Sequence, residues 1–190
     1  MTYPFRHPKW MFLFFVALLS LAATASQAAV RISFYSKELG ASFPHAFIEL
    51  EGTDDRTGAA VRDNYGFTAK TISPAILMGS VTGEVMAVDQ AYVRNSDLHF
   101  SFVLTDAEYD RVKATIEKWR MLKQPSYNLN RQNCVYFVAD VAASLGMRAE
   151  TPKALMKKPR SFTESLVEAN QSWLAARGAT LGKRYAEANK

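Results

Sequence analysis

Residues 44–50 read PHAFIEL, and small or aliphatic side chains alternate in this stretch with larger or polar ones. Successive side chains of a β-strand point to opposite faces, so this alternation predicts a strand from His45 to Glu51. The small and aliphatic side chains then share one face: Ala46, Ile48 and Leu50. The opposite face carries the other three: His45, Phe47 and Glu49. One strand thus presents an apolar face to a core and places a histidine on the other face.

The rest of the chain surrounds this strand with further strands and then with helices. Strand patterns occupy residues 30–35, 60–67, 84–92 and 98–104, and residues 36–44 and 68–83 are predicted to be loops. Thr105 and Glu108 form a capping box that begins a helix ending near Lys123. Asn133 can cap a second helix over residues 134–145, with Gly146 as its stop, and residues 161–177 predict a last amphipathic helix. Strands followed by helices predict an α+β fold, with a small antiparallel sheet packed against helices.

The 190 residues fit a signal peptide followed by one domain. Arg6 and Lys9 precede an apolar run over residues 10–23, and the small residues Ser26 and Ala28 then mark a cleavage site. We expect residues 1–28 to be removed on export to the periplasm or the medium. Residues 29–190 then form the mature domain, with a polar tail from about residue 179. The alternative is a leader retained as an anchor, which would be the chain's only contact with a membrane.

The net charge of the chain and the small number of metal-ligating residues exclude several classes of function. A formal net charge of +5 is too small to indicate a nucleic-acid partner. Three histidines and one cysteine show no metal-ligand spacing, and no glycine-rich phosphate loop occurs, so we expect neither a metal nor a cofactor. A monomer is the expected state.

Cys134 is the only cysteine, so an exported protein of this sequence cannot form an internal disulfide. A free thiol in an oxidising compartment calls for a reason, and catalysis is one. At a helix start, free backbone N–H groups and the helix dipole favour a thiolate and can hold an oxyanion. The alternative is a buried cysteine that acts as a small hydrophobic residue.

A cysteine nucleophile requires a base and a group that orients the base. His45 is the predicted base, although a strand histidine can equally be structural. The neighbouring strand contains Asp63 and Asn64, which point to opposite faces, so its register decides which of them faces His45. Asn64 is favoured, and Glu49 is a third choice on the same face as His45.

These motifs resemble the circularly permuted branch of the NlpC-type papain-like superfamily, which includes relatives of lecithin:retinol acyltransferase. The resemblance covers roughly residues 30–146 and depends on the order of three short motifs: PHAFIEL at 44–50, NYGF at 64–67, and NCVYFV at 133–138. It implies a papain-like fold with Cys134 as nucleophile, His45 as base, and Asn64 or Asp63 as third residue. It also implies that Tyr127 lines the site or donates to the oxyanion, with a packing residue before the helix as the alternative, and that Asn133 and Tyr65 bind substrate. Several relatives have a second histidine as third residue; here His99 lies two strands further on.

The expected activity is hydrolysis of an amide or ester bond through a thioester acyl-enzyme. The compartment favours bacterial cell-wall peptides as substrates, which makes a thiol amidase or endopeptidase the leading interpretation. A non-catalytic periplasmic binding or interaction protein is the alternative from another class. A lipid acyltransferase or thioesterase is the alternative within the same chemistry.

Overall fold

The computed structural model describes residues 29–38 and 43–187. It is α+β, with one six-stranded antiparallel sheet packed against helices, as the sequence predicted. The strands lie in the order β4-β3-β2-β1-β5-β6. Their bounds are β1 (Arg31–Lys37), β2 (His45–Asp54), β3 (Ala59–Ala69), β4 (Gly83–Met86), β5 (Asp97–Val103) and β6 (Thr180–Leu181).

Seven helices lie in this part of the chain: α1 (Ala75–Met78), α2 (Gln90–Arg94), α3 (Asp106–Arg120), α4 (Cys134–Ser144), α5 (Pro159–Ala169), α6 (Gln171–Ala176) and α7 (Lys183–Glu187). The predicted capping box begins α3, with both of its reciprocal hydrogen bonds between Thr105 and Glu108. Asn133 caps α4, and Gly146 follows it with a φ of 84°, a conformation that favours glycine.

The two faces of the sheet have different partners. The inner face carries Ala46, Ile48 and Leu50, which join the main hydrophobic core together with the buried sides of α3, α4 and α5. The outer face carries Phe47, which is fully buried but lies outside that core and packs on Tyr35 and Tyr92. The alternation predicted for residues 45–50 is therefore confirmed.

The segment at 68–83, predicted to be a loop, contains the short helix α1. Three other predicted elements differ from the structure. Residues 84–92 were expected as one strand, but β4 ends at Met86 and the chain enters α2, because the Asp89 side chain accepts a hydrogen bond from the Tyr92 N–H and caps a helix. Residues 161–177 were expected as one helix, but they lie in two helices, α5 and α6, that are separated at Asn170. The side-chain amide of Asn170 hydrogen-bonds to the backbone of Arg148, and the chain leaves the helical path at this residue.

The third difference is the end of the chain, expected to be a frayed polar tail from about residue 179. Thr180–Leu181 instead pairs with β5, and the Gly182 N–H donates to the His99 carbonyl. The Tyr185 hydroxyl lies 2.7 Å from His99 Nδ1, so a partly buried hydrogen bond holds α7 against the sheet. The predicted leader, residues 1–28, lies outside the described residues. Within the described part, no helix has the length and apolar character needed to cross a membrane.

Candidate active site

Cys134 is the first residue of α4, where the sequence placed it. Asn133 Oδ1 accepts from the Val135 N–H at 2.9 Å, and Asn133 Nδ2 donates to the carbonyls of Leu129 and Met156 at 2.8 Å. These bonds occupy the buried Asn133 amide on both sides. Asn133 therefore fixes the start of α4 and the loops beside it, and its side chain is committed to the backbone.

The Cys134 sulfur lies in the core, and the residue is 5% exposed. Burial raises the pKa of the Cys134 thiol to about 11, although hydrogen bonds from the backbone N–H groups of Ala46, Val135 and Cys134 itself act in the opposite direction. The resting thiol is therefore protonated at neutral pH. These backbone groups belong to two elements, the start of α4 and the start of β2.

The His45 ring lies on the outer face. It stacks on Phe47 with ring centroids 6.1 Å apart and planes 16° apart. Its Nε2 also sits so close to Gly66 that a Cβ added there would lie 2.2 Å away. Burial lowers the pKa of His45 to about 4, so the imidazole is neutral at pH 7.

Cys134 and His45 therefore both lie near the beginning of β2, but on different faces of the sheet. The sulfur lies in the core on the inner face, near enough to the Ala46 backbone for the N–H of this residue, directly after His45, to lower the thiol pKa. Within residues 29–38 and 43–187, no hydrogen bond joins the thiol to the imidazole. The ladder between β2 and β3 extends from Asp54 only to Ile48, so the beginning of β2 has no β3 partner in that ladder.

The register of β2 and β3 decides which third residue faces His45. Glu49 pairs with Asn64, so Asn64 lies on the outer face as the favoured prediction required, whereas Asp63 pairs with Leu50 and is exposed. The Asn64 amide, however, donates to the Val88 carbonyl at 2.9 Å and accepts from the Val88 N–H at 2.7 Å. It anchors the segment before α2 and makes no described hydrogen bond to His45.

The two predicted tyrosines occupy different surroundings. Burial, and after it the nearby Cys134, raises the pKa of Tyr127 well above its usual value. Its ring lies 5.9 Å from that of Phe67 and packs against the main core on the inner face, which also contains Cys134. Tyr65 instead lies under the Arg120 guanidinium at 5.3 Å, against α3. Of the two, Tyr127 is the one that adjoins the thiol.

Gly66 is the residue at this site that the sequence reasoning overlooked. Phe47 Cβ and the His45 ring both occupy the space that a side chain at position 66 would need. A glycine inside a strand often marks such a close approach, and Gly66 lies in the strand pattern at 60–67, so that signal was present.

Comparison with protein-family models, with curated proteins and with solved structures finds no match to the chain. Among the described residues, no group of three or more histidine, cysteine, aspartate or glutamate side chains could hold a metal ion. Interpretation of the site therefore depends on its own geometry.

Proposed function

We propose that the chain is an exported, papain-like cysteine hydrolase in which Cys134 attacks an amide or ester carbonyl and His45 carries the proton. The observation that supports this most directly is the position of Cys134 as the first residue of α4, where nearby backbone N–H groups oppose the effect of burial on the thiol pKa. These donors favour negative charge on the sulfur, and an oxyanion formed beside it would meet the same field. Tyr127 adds a hydroxyl at the edge of this site.

The protonation states determine how the first step would proceed. With a thiol pKa of about 11, only about one molecule in ten thousand carries a thiolate at pH 7. Proton transfer to His45 must therefore accompany attack on the carbonyl carbon instead of preceding it. The new S–C bond forms as the thiol proton passes to the imidazole, which then protonates the departing amine or alcohol. Water completes the cycle by hydrolysing the thioester, with His45 accepting the proton of the attacking water and returning it to the departing Cys134 sulfur.

This mechanism requires the imidazole to leave its position on Phe47 and reach the sulfur. His45 is the first residue of β2 and pairs with Lys37 of β1, but it lies beyond the end of the β2–β3 ladder, so its backbone is held on one side only. We propose that substrate binding produces this movement and that the described structure is the closed, resting form. Cell-wall peptides are the proposed substrates because of the predicted export; acyl lipids would require the same chemistry.

Trapping of an acyl-enzyme tests the proposal. The full chain is incubated with p-nitrophenyl acetate at pH 7.5. Intact-protein mass spectrometry then counts the added acetyl groups, and peptide mapping locates them. We expect one acetyl group on Cys134, none in Cys134→Ala, and strongly slowed acetylation in His45→Gln. Tyr136→Phe is the matched control, because Tyr136 lies on the same helix and its hydroxyl bonds Asn130 and Met156 instead of the site. Acetylation unchanged by the His45 substitution would contradict the proposed base.

A non-catalytic domain on the same fold is the second candidate. It is favoured by the buried thiol and by the position of the imidazole on the other face of the sheet. Under this alternative, wild-type protein acquires no acetyl group in the folded state, and Cys134 reacts with thiol reagents only in urea. The two outcomes separate the candidates without knowledge of the natural substrate.

A further inference from the structure

A cleft of about 480 Å³ opens on the outer face of the sheet, away from Cys134. Tyr35 and Glu49 line it from β1 and β2, while Arg94 of α2 and Lys183 of α7 line it from the helices. Neither Cys134 nor His45 is among its lining residues, so whatever binds there does not depend on the thiol chemistry. Its volume lies within the range of about 300–1,000 Å³ that is typical of small-molecule sites.

Glu49 gives this cleft a buried carboxylate. The residue is 8% exposed, and its Oε2 accepts a hydrogen bond from the Tyr35 hydroxyl at 3.1 Å. Oε1 has no hydrogen-bond partner among the described residues, and it keeps contact with solvent in the cleft. No described lysine, arginine or histidine forms an ion pair with Glu49. A carboxylate so deeply buried is costly without a cationic partner, so the site is suited to a cation supplied by a ligand.

The walls of the cleft carry charges of both signs, but the two other carboxylates that line it, Glu51 and Asp97, each lie beside an arginine. Arg94 and Lys183 are exposed and form no ion pair or hydrogen bond with other described residues, whereas Arg184 beside them is paired with Glu164. Free guanidinium and ammonium groups at such a rim bind carboxylates, and arginine can do so with two parallel hydrogen bonds. The cleft thus combines an anionic floor with two available cations.

From this charge arrangement we infer that the outer-face cleft binds a small zwitterion of amino-acid or dipeptide size. Glu49 takes the ligand's ammonium group, and Arg94 with Lys183 takes its carboxylate. The apolar side chains of Val93 and Leu98, which also line the cleft, contact the aliphatic part of the ligand.

Binding of L-alanyl-L-alanine to the full chain, measured by calorimetry or ligand-observed NMR, tests this assignment. N-acetylation of the probe removes its positive charge, and amidation of its C-terminus removes its negative charge. Each blocked form should bind at least about tenfold more weakly than the free dipeptide. Glu49→Gln, which keeps the side-chain shape, should weaken binding of the free dipeptide to a similar extent. The exposed Glu117→Gln on α3 is the control and should bind as wild type does.

Two further variants test the assignment even if Glu49→Gln fails to fold. The exposed double variant Arg94→Gln, Lys183→Gln should bind the free and amidated dipeptides equally weakly. Cys134→Ala should bind as wild type does, which separates this site from the proposed hydrolase. The assignment is overturned if wild type does not bind the dipeptide at about 10 mM, or if the N-acetylated form binds as tightly as the free one.

Discussion

Lowering the pH from 7 to 5 should destabilise the protein through two histidines, the fully buried His99 and the partly buried His45. His99 is fully buried, with its Nε2 2.7 Å from the Ser36 hydroxyl and its Nδ1 2.7 Å from the Tyr185 hydroxyl. Burial, reinforced by the nearby Arg184 and Arg160 and opposed by Asp97, lowers the pKa of His99 to about 4. Burial alone lowers the pKa of His45 to about 4 as well.

The sign and size of the effect follow from linkage. A histidine with a folded pKa of about 4 and an unfolded pKa of about 6.5 binds more protons in the unfolded state between these values. Its contribution to stability is therefore complete above about pH 6.5 and falls as the pH decreases toward 4. Between pH 7 and 5, each group removes up to about 2 kcal/mol from the free energy of unfolding, or about 4 kcal/mol for the two together.

Urea denaturation at pH 7, 6 and 5 measures this loss directly. His99→Gln should remove the larger share of the pH dependence, because His99 has no exposed surface whereas His45 is only partly buried. His45→Gln should remove a smaller share, and the double variant should be nearly independent of pH in this range. The carboxylates whose pKa is lowered, Asp54, Glu108 and Asp110, lose their contribution only near and below about pH 4. A double variant that retains the wild-type slope would refute the reasoning.

Three other predictions concern the site and its surroundings. Native Cys134 should react slowly with iodoacetamide at pH 7.5 and increasingly fast toward pH 11, as followed by mass spectrometry; rapid native labelling at neutral pH would contradict the raised pKa. Asn64→Ala should lower the free energy of unfolding by about 2–4 kcal/mol, because the N–H and C=O of Val88 both lose their hydrogen-bond partner. Urea denaturation measures this loss, and a loss below about 0.5 kcal/mol would show that Asn64 does not anchor this segment. Gly66→Ala should displace the His45 ring and lower the free energy of unfolding by about 1–3 kcal/mol. An NMR titration should then show the His45 pKa raised toward its usual value, whereas an unchanged titration would show that the ring does not lie against Gly66.

The sequence alone predicted the features that neighbouring residues determine. The alternation at 44–50 fixed which side chains of β2 share a face, and the Thr105–Glu108 box and Asn133 fixed where α3 and α4 begin. These signals are local, because a cap or a strand period involves residues only a few positions apart. They were sufficient for the α+β class and for the position of Cys134 at a helix start.

The tertiary structure decided which of these elements meet and on which side. The pairing of β2 with β3 placed Asn64 on the His45 face, but the distant Val88 backbone took its amide. Packing of α4 on the inner face buried Cys134, while Phe47 and Gly66 hold the His45 ring on the other face. Docking of α7 likewise depends on His99, far away in the chain. Such outcomes follow from burial and charge between segments distant in sequence, which no short motif specifies.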